Sequence, residues 1–210
     1  MKSSYHHGNL KVALIDAGIA ILNEQGLPAL SLRNVAQRIG VSHTAPYAHY
    51  NDKHALIAAI AAAGYQEFTQ TLQAIELQHA DKPLAQLCSS AWAYYQFSQR
   101  SPAHFRLTFS GTVEQQHDYP DFIAAAHECF NQVLSIVGNA QRAQLLKPGP
   151  IELLTISVWG MVHGVVLLLL ENLISHTILE RQTPRELLAT ALSQIALVPI
   201  SAADFPADEL

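Results

Sequence analysis

From Leu153 to Leu170 the chain runs for 18 residues without an Asp, Glu, Lys or Arg. So long an apolar stretch has to be covered by lipid or by protein, because it is not left in water. Its length is at the lower edge for a membrane-spanning helix. The stretch also contains Thr155, Ser157, Gly160, His163 and Gly164, and the acids Glu152 and Glu171 flank it. No basic cluster marks a cytoplasmic side. The reading is a buried helix, covered by core on one side and by another subunit on the other.

The remaining punctuation is helical throughout. Leu10, Leu14, Ala17 and Ile21 share one helix face, with Asn9 placed to cap and Gly26 to stop that helix. Ser31 is placed to cap a short helix bearing Leu32, Val35, Ala36 and Ile39, which Gly40 ends. Ser42 is placed to cap another through about His49. Asp52 is placed to cap a long helix with Leu56, Ile60, Gly64, Phe68, Leu72 and Ile75 at spacings of 3–4 residues. Further helices are expected at about 84–99, 102–110, 120–145, 150–175 and 183–196. Pro102, Pro120, Pro150 and Pro184 lie at or near their first turns, where a missing amide proton costs nothing. No alternating strand of useful length occurs. The expected fold is all-α, with about nine helices and a poorly ordered tail over 199–210.

Half of the residues are hydrophobic and 14% are charged, which excludes a disordered chain. Cys88 and Cys129 cannot staple a chain of 210 residues, and no close Cys spacing suggests zinc. The N-terminus lacks the apolar stretch of a signal peptide. A reduced, cytoplasmic setting is the expectation. The net charge of −5 looks wrong for nucleic-acid binding, but its distribution is uneven. Residues 1–56 hold five Lys/Arg and three Asp/Glu, and the remainder holds seven and fourteen. A mildly basic head is thus joined to an acidic body.

The head contains SLRNVAQRIGVSHTAPYAHY, residues 31–50. Here two short helices meet at a turn. Ala36 is small enough for a close helix crossing, Gly40 suits a left-handed turn residue, and Val41 can plug the corner. This is a helix-turn-helix pattern, whose second helix enters the DNA major groove. Ser42, His43, Thr44, Tyr47, His49, Tyr50 and Lys53 give the second helix and its end donors or aromatic edges, too polar for a core.

Over about residues 9–57 the chain resembles the TetR family of transcriptional regulators. The resemblance rests on NLKVALIDAGIAILNEQG, on LSLRNVAQRIGVS, and on Tyr47, His49, Tyr50, Lys53 and Leu56 in the family's order. Tyr5-His6-His7-Gly8-Asn9-Leu10 is similar to the start of one branch of the family. The resemblance implies that Arg33 reads a base or binds phosphate and that His43 and Thr44 face bases. It also implies that Tyr47, His49 and Lys53 grip phosphates, while Ser31 and Ser42 cap and reach phosphate. Pro46 departs from the pattern, because a larger apolar residue usually precedes the Tyr. If Ser42 capped the helix, the Pro46 ring would approach the Ser42 carbonyl and a hydrogen bond would be lost; a start one or two residues later removes the conflict.

Trp159-Gly160-Met161-Val162-His163-Gly164 resembles the Trp…His-Gly signature of one TetR C-terminal type (WHG), over about residues 84–195. Gly160 and Gly164 share a helix face and permit close approach, at roughly 1 kcal/mol each relative to Ala. Paired helices of a two-fold dimer, from 150–175 and 183–196, would supply the missing cover. For His163 three roles stay open: a hydrogen bond to another helix, an effector contact, or a metal or haem ligand. His127 and Cys129 point to different helix faces and make a poor metal pair. Trp92, Tyr95, Phe105, His127, Trp159 and His163 are the candidates for an effector pocket.

The expected organisation is a DNA-binding head over 1–57, a linking helix over about 53–78, and an effector-binding and dimerisation body over 79–198. The expected function is a ligand-responsive repressor that binds a palindromic operator as a homodimer and is released by a small-molecule effector. No catalytic residue, cofactor or metal is expected. The alternative is a helical small-molecule-binding protein or enzyme with a vestigial head, with His163, Glu171 and His127 as its polar groups. No nucleophile, base and oxyanion donor come together for it.

Overall fold

The structure is a computed structural model that describes residues 10–114 and 116–207. Asn9 and the histidines before it lie outside the described residues, so the expected first cap does too. The described residues form nine α-helices: α1 (Leu10–Gln25), α2 (Leu32–Arg38), α3 (Lys53–Gln78), α4 (Pro83–Arg100), α5 (Pro102–Phe109), α6 (Pro120–Arg142), α7 (Ile151–Leu170), α8 (His176–Leu179) and α9 (Pro184–Ser193). They contain no β-strand; one isolated bridge pairs Leu146 with Ala196. The all-α expectation holds, but the membership of the nine differs. The element after α2 is a 3-10 turn, and the expected 150–175 helix ends at Leu170, with α8 a separate single turn.

The chain divides into two compact units, residues 1–67 with 101–127, and residues 68–100 with 128–210. The boundaries differ from a simple cut near residue 57. The reason is visible in the core of the first unit. Leu14, Ile21 and Leu22 of α1, Val35 of α2 and Leu56 and Ile60 of α3 are buried together with Leu107 of α5 and Phe122 of α6. Three helices leave part of the apolar faces of α1 and α3 uncovered, and α5 and the start of α6 complete the cover. Tyr65 meets Phe109 and Phe122 edge-on, at ring separations of 5.1 and 5.7 Å.

In the second unit α4 packs on α7 and α9, and α7 on α9. A polar network ties α3 to α6. Glu76 accepts from Gln132, from Ser135 at 2.7 Å and from Asn139 at 2.9 Å, three residues on one face of α6. Gln86 of α4 joins it, donating to the Glu76 carbonyl and accepting from Asn139. Such a network specifies one arrangement of the three helices, because any slip strands buried donors.

One expectation about this unit needs correction. Residues 199–207 are ordered rather than trailing. A 3-10 turn at Ala202–Asp204 carries a capping box between Ser201 and Asp204, and the following Phe205 is buried. The apolar ring makes the segment adhere, which its two prolines did not suggest. Within one chain α7 is covered on one side only, as expected of a helix whose other side awaits another subunit. Only Thr155, Val158, Val162 and Val166 are buried, a single stripe at spacings of three and four residues. Leu153 is 62% exposed and Ile156 54%. By length and composition α7 is long and apolar enough to cross a membrane.

Candidate nucleic-acid interface

The corner between α2 and the following segment is fixed by backbone geometry. Ser31 caps α2, accepting from the Asn34 amide at 3.1 Å. At the other end Gly40 has φ +71°, the left-handed region. Its amide donates to Gln37, and the Val41 amide donates to Ala36. These two bonds form a Schellman stop, which satisfies the last carbonyls of α2 and turns the chain sharply. Ala36 is fully buried at the crossing, and Val41 is half-buried. Arg38 makes a bidentate pair with Glu24 of α1, which holds α2 against its brace and pulls the Glu24 carboxyl below its ordinary range.

The segment that follows is shorter than expected. Its helical part is a 3-10 turn, Ala45–Ala48, with Thr44 in the capping position and no side-chain cap bond. Ser42 does not cap; its hydroxyl lies 3.1 Å from that of Thr44. Pro46 explains the difference. It has no amide proton, so it can sit only within the first turn, and the turn starts late enough to place it there. The Ala45 amide donates to Ser42, Tyr47 to Thr44, and both His49 and Tyr50 to Pro46. Pro46 itself is buried and anchors the segment.

The consequence is a row of outward polar groups on a rigid, sharply bent backbone. Ser42, His43, Thr44, Tyr47 and His49 are all exposed, and Arg33 is exposed on the first turn of α2. His43 and Thr44 precede the turn, so they project from its entry rather than from a helix flank. Tyr50 faces the opposite way and is buried; burial pushes its phenol up to about 12. Asp52 caps α3, accepting from the Ala55 amide at 2.8 Å. Lys53 opens α3, and its ammonium donates to the Leu27 carbonyl at 3.1 Å. That bond uses one of three donors and leaves the charge at the head surface. The structure thus gathers Ser42, His43, Thr44, Tyr47 and His49 on one segment, with Arg33 and Lys53 on the helices flanking it.

Residues 14–60 match the family described as bacterial regulatory proteins, tetR family. Residues 87–192 match the tetracyclin repressor-like C-terminal domain. The chain belongs to the TetR family. The head is 39% identical over 49 residues to the class D tetracycline repressor of Escherichia coli, 23% of this chain and 22% of that protein. It is 42% identical over 50 residues to the class A repressor from transposon 1721 of Escherichia coli, 24% of this chain and 23% of that protein. The matched stretch therefore spans less than a quarter of those repressors. Among solved structures, a protein of unknown function from Rhodococcus sp. RHA1 is 25% identical with TM-score 0.77, covering 92% of this chain and 96% of its own. SmeT in complex with triclosan has the same fold, with TM-score 0.63, 18% identity and coverage of 95% and 98%.

The six effector-pocket candidates do not form one group. Phe105 is fully buried and His127 exposed, and both belong to the head unit. In the body of this TetR-family protein, Trp159 lies edge-on to His163 at 6.4 Å and close to Phe130. Nδ1 of His163 is 2.8 Å from the Tyr94 hydroxyl of α4. The polar ring is thus partnered by another helix, and partial burial lowers its proton affinity below the ordinary histidine range. Trp92 and Tyr95 form a separate pair at 4.9 Å. Tyr94 and Arg185 complete these two clusters, and neither stands out in sequence because each takes its place through a contact distant in the chain. No group of three or more metal-ligating side chains occurs among the described residues.

Proposed function

We propose that this TetR-family chain is a one-component transcriptional repressor, acting as a two-fold dimer on a palindromic operator and released by a small molecule. The carrying observation is the row of exposed polar groups at residues 42–49 on a backbone locked by the Gly40 stop and by Pro46. Such a row suits base edges and phosphates together, with phosphate contacts setting register and base contacts setting sequence. Dimer formation is supported by the uncovered face of α7, which a second copy would bury. Half-sites should then be centred about one DNA turn apart, or a multiple of it. The ligand acts by binding one dimer conformation better than the other. No cofactor is needed for this cycle, and DNA as partner places the protein in the cytoplasm.

The direct test is retention on duplex DNA at low salt and loss of retention on adding salt. An inverted repeat in the DNA flanking its own gene supplies the operator to use. Two substitutions divide the roles. Lys53→Ala is expected to weaken binding to every sequence and to reduce the log–log salt slope by about 1. A salt series checks this; an unchanged slope would leave Lys53 with its Leu27 bond alone. His43→Ala is expected to change base preference while nonspecific affinity stays nearly constant. Selection from random duplexes that returned the parent's site would remove His43 from base reading.

A further inference from the structure

The C-terminal segment sits on a cluster of groups that a packing role does not explain. The turn Ala202–Asp204 packs against α4 and α9. Arg185 of α9 donates from Nε to the Pro206 carbonyl at 2.9 Å. The same guanidinium lies over the Trp92 ring of α4, 4.0 Å from its centroid. Trp92 is 5% exposed, yet its indole N–H has no hydrogen-bond partner among the described residues. A buried donor without an acceptor is costly and uncommon. Phe205 of the same segment is buried, at 6% exposure. Burial, and after it the nearby Asp204 carboxylate, push the Cys88 thiol of α4 up to about 12.

The segment therefore presents an aromatic ring beside a carboxylate, and offers a carbonyl to an arginine next to an unsatisfied indole N–H. We propose that residues 201–206 plug a ligand groove between α4 and α9, and that the ligand which replaces them is an aryl-substituted carboxylate. Its ring takes the place of Phe205. Its carboxylate receives Arg185 and the Trp92 N–H, which the plug leaves without an acceptor. The carboxylate then keeps Arg185 in a charge-assisted bond and gives the Trp92 N–H the acceptor it lacks. The negative charge of Asp204 leaves with the plug, so the incoming carboxylate adds no net charge to the place. The proposal rests on the reading of the body as the sensing unit and gives its ligand a chemical class.

The experiment uses the full chain with Trp159→Phe, which leaves Trp92 as the sole tryptophan of the two. Hydrocinnamate is the probe and its neutral amide the control. Hydrocinnamate should change Trp92 emission, and Phe205→Ala should tighten the response about tenfold by removing the competing plug. The amide should give no response, and Arg185→Gln should abolish that of the acid. In the parent chain, the probe should also speed hydrogen exchange at the Asp204 and Phe205 amides. A folded Phe205→Ala protein whose Trp92 ignores the acid would overturn the proposal. Equal responses to acid and amide would do the same. If Phe205→Ala fails to fold, unchanged exchange in the parent makes the segment a structural brace and overturns it. Operator affinity, measured with Trp159 restored, separates the two readings. Groove occupancy without DNA release removes only the sensing role; DNA release by another compound without a Trp92 response removes only the groove.

Discussion

Ile156→Asp is expected to convert the protein to a monomer and to cut its affinity for a two-half-site operator by at least a hundredfold. Ile156 is 54% exposed in the single chain, at the edge of the α7 face that lies away from the Thr155–Val166 stripe. Leu153 and Leu168 lie along the same exposed surface, and a Cβ added at Gly160 or Gly164 meets nothing within 4 Å. The face is apolar, and smooth where the glycines lie, so a symmetry-related helix can come close. Burying the exposed half of one isoleucine is worth about 1 kcal/mol, and an unpaired carboxylate there costs about 2–3 kcal/mol more. Two-fold symmetry applies the change twice, giving about 6–8 kcal/mol against association, or more than a thousandfold in the dimer constant. The folded subunit should lose little, because more than half of Ile156 is already in water. Sedimentation and operator binding check both halves. A variant that stays dimeric and binds the operator as the parent does would remove α7 from the interface.

How much of this was legible in sequence depends on whether a residue's neighbours are near it in the chain. The stop of α2 was legible because Gly40 and the two bonds around it are local. So was the Ser31 cap. The conflict at Pro46 was legible too, since a missing amide proton is a property of one residue. Its resolution as a 3-10 turn was not, because burial of Pro46 against the rest of the head decides where the turn can start. The partner of His163 was hidden for a related reason: Tyr94 is 69 residues away and carries no sequence mark of the pairing.

The helices that complete the head's core are hidden by the same logic. Family motifs end near residue 57, but the apolar faces of α1 and α3 still need Leu107 and Phe122. The C-terminal segment shows the converse error. Pro199 and Pro206 suggested a loose tail, whereas one ring, Phe205, and one arginine, Arg185, hold it. In each case composition described the segment correctly and a single distant contact set its fate.

The second large effect is expected at Gly64. It lies in α3, where alanine would ordinarily gain about 1 kcal/mol over glycine in helix propensity. Here an added Cβ would stand 2.1 Å from Oγ1 of Thr108 and 3.0 Å from both Cγ2 of Thr108 and Nε2 of His104. Neither neighbour can retreat freely. Thr108 donates to the His104 carbonyl at 2.9 Å, and His104 Nε2 is 2.9 Å from the Ile60 carbonyl, with both side chains buried. Overpacking costs about 1–3 kcal/mol, and stranding either buried group costs about as much again. Gly64→Ala should therefore destabilise the head by about 3 kcal/mol despite its better propensity, seen as a lower urea midpoint at unchanged slope. Thr108→Ala in the same chain should recover part of the loss, because it removes the closest atoms. Gly160→Ala should do the opposite within the subunit, gaining about 1 kcal/mol, since nothing stands in its way. It should weaken dimerisation if α7 forms the seam. The two glycines thus report on different surfaces: Gly64 faces a neighbour inside the chain, and Gly160 faces open space where the proposed second copy would lie. Equal stability of Gly64→Ala and the parent would mean that α3 and α5 do not meet as described, and the head core built on Leu107 would fall with that contact.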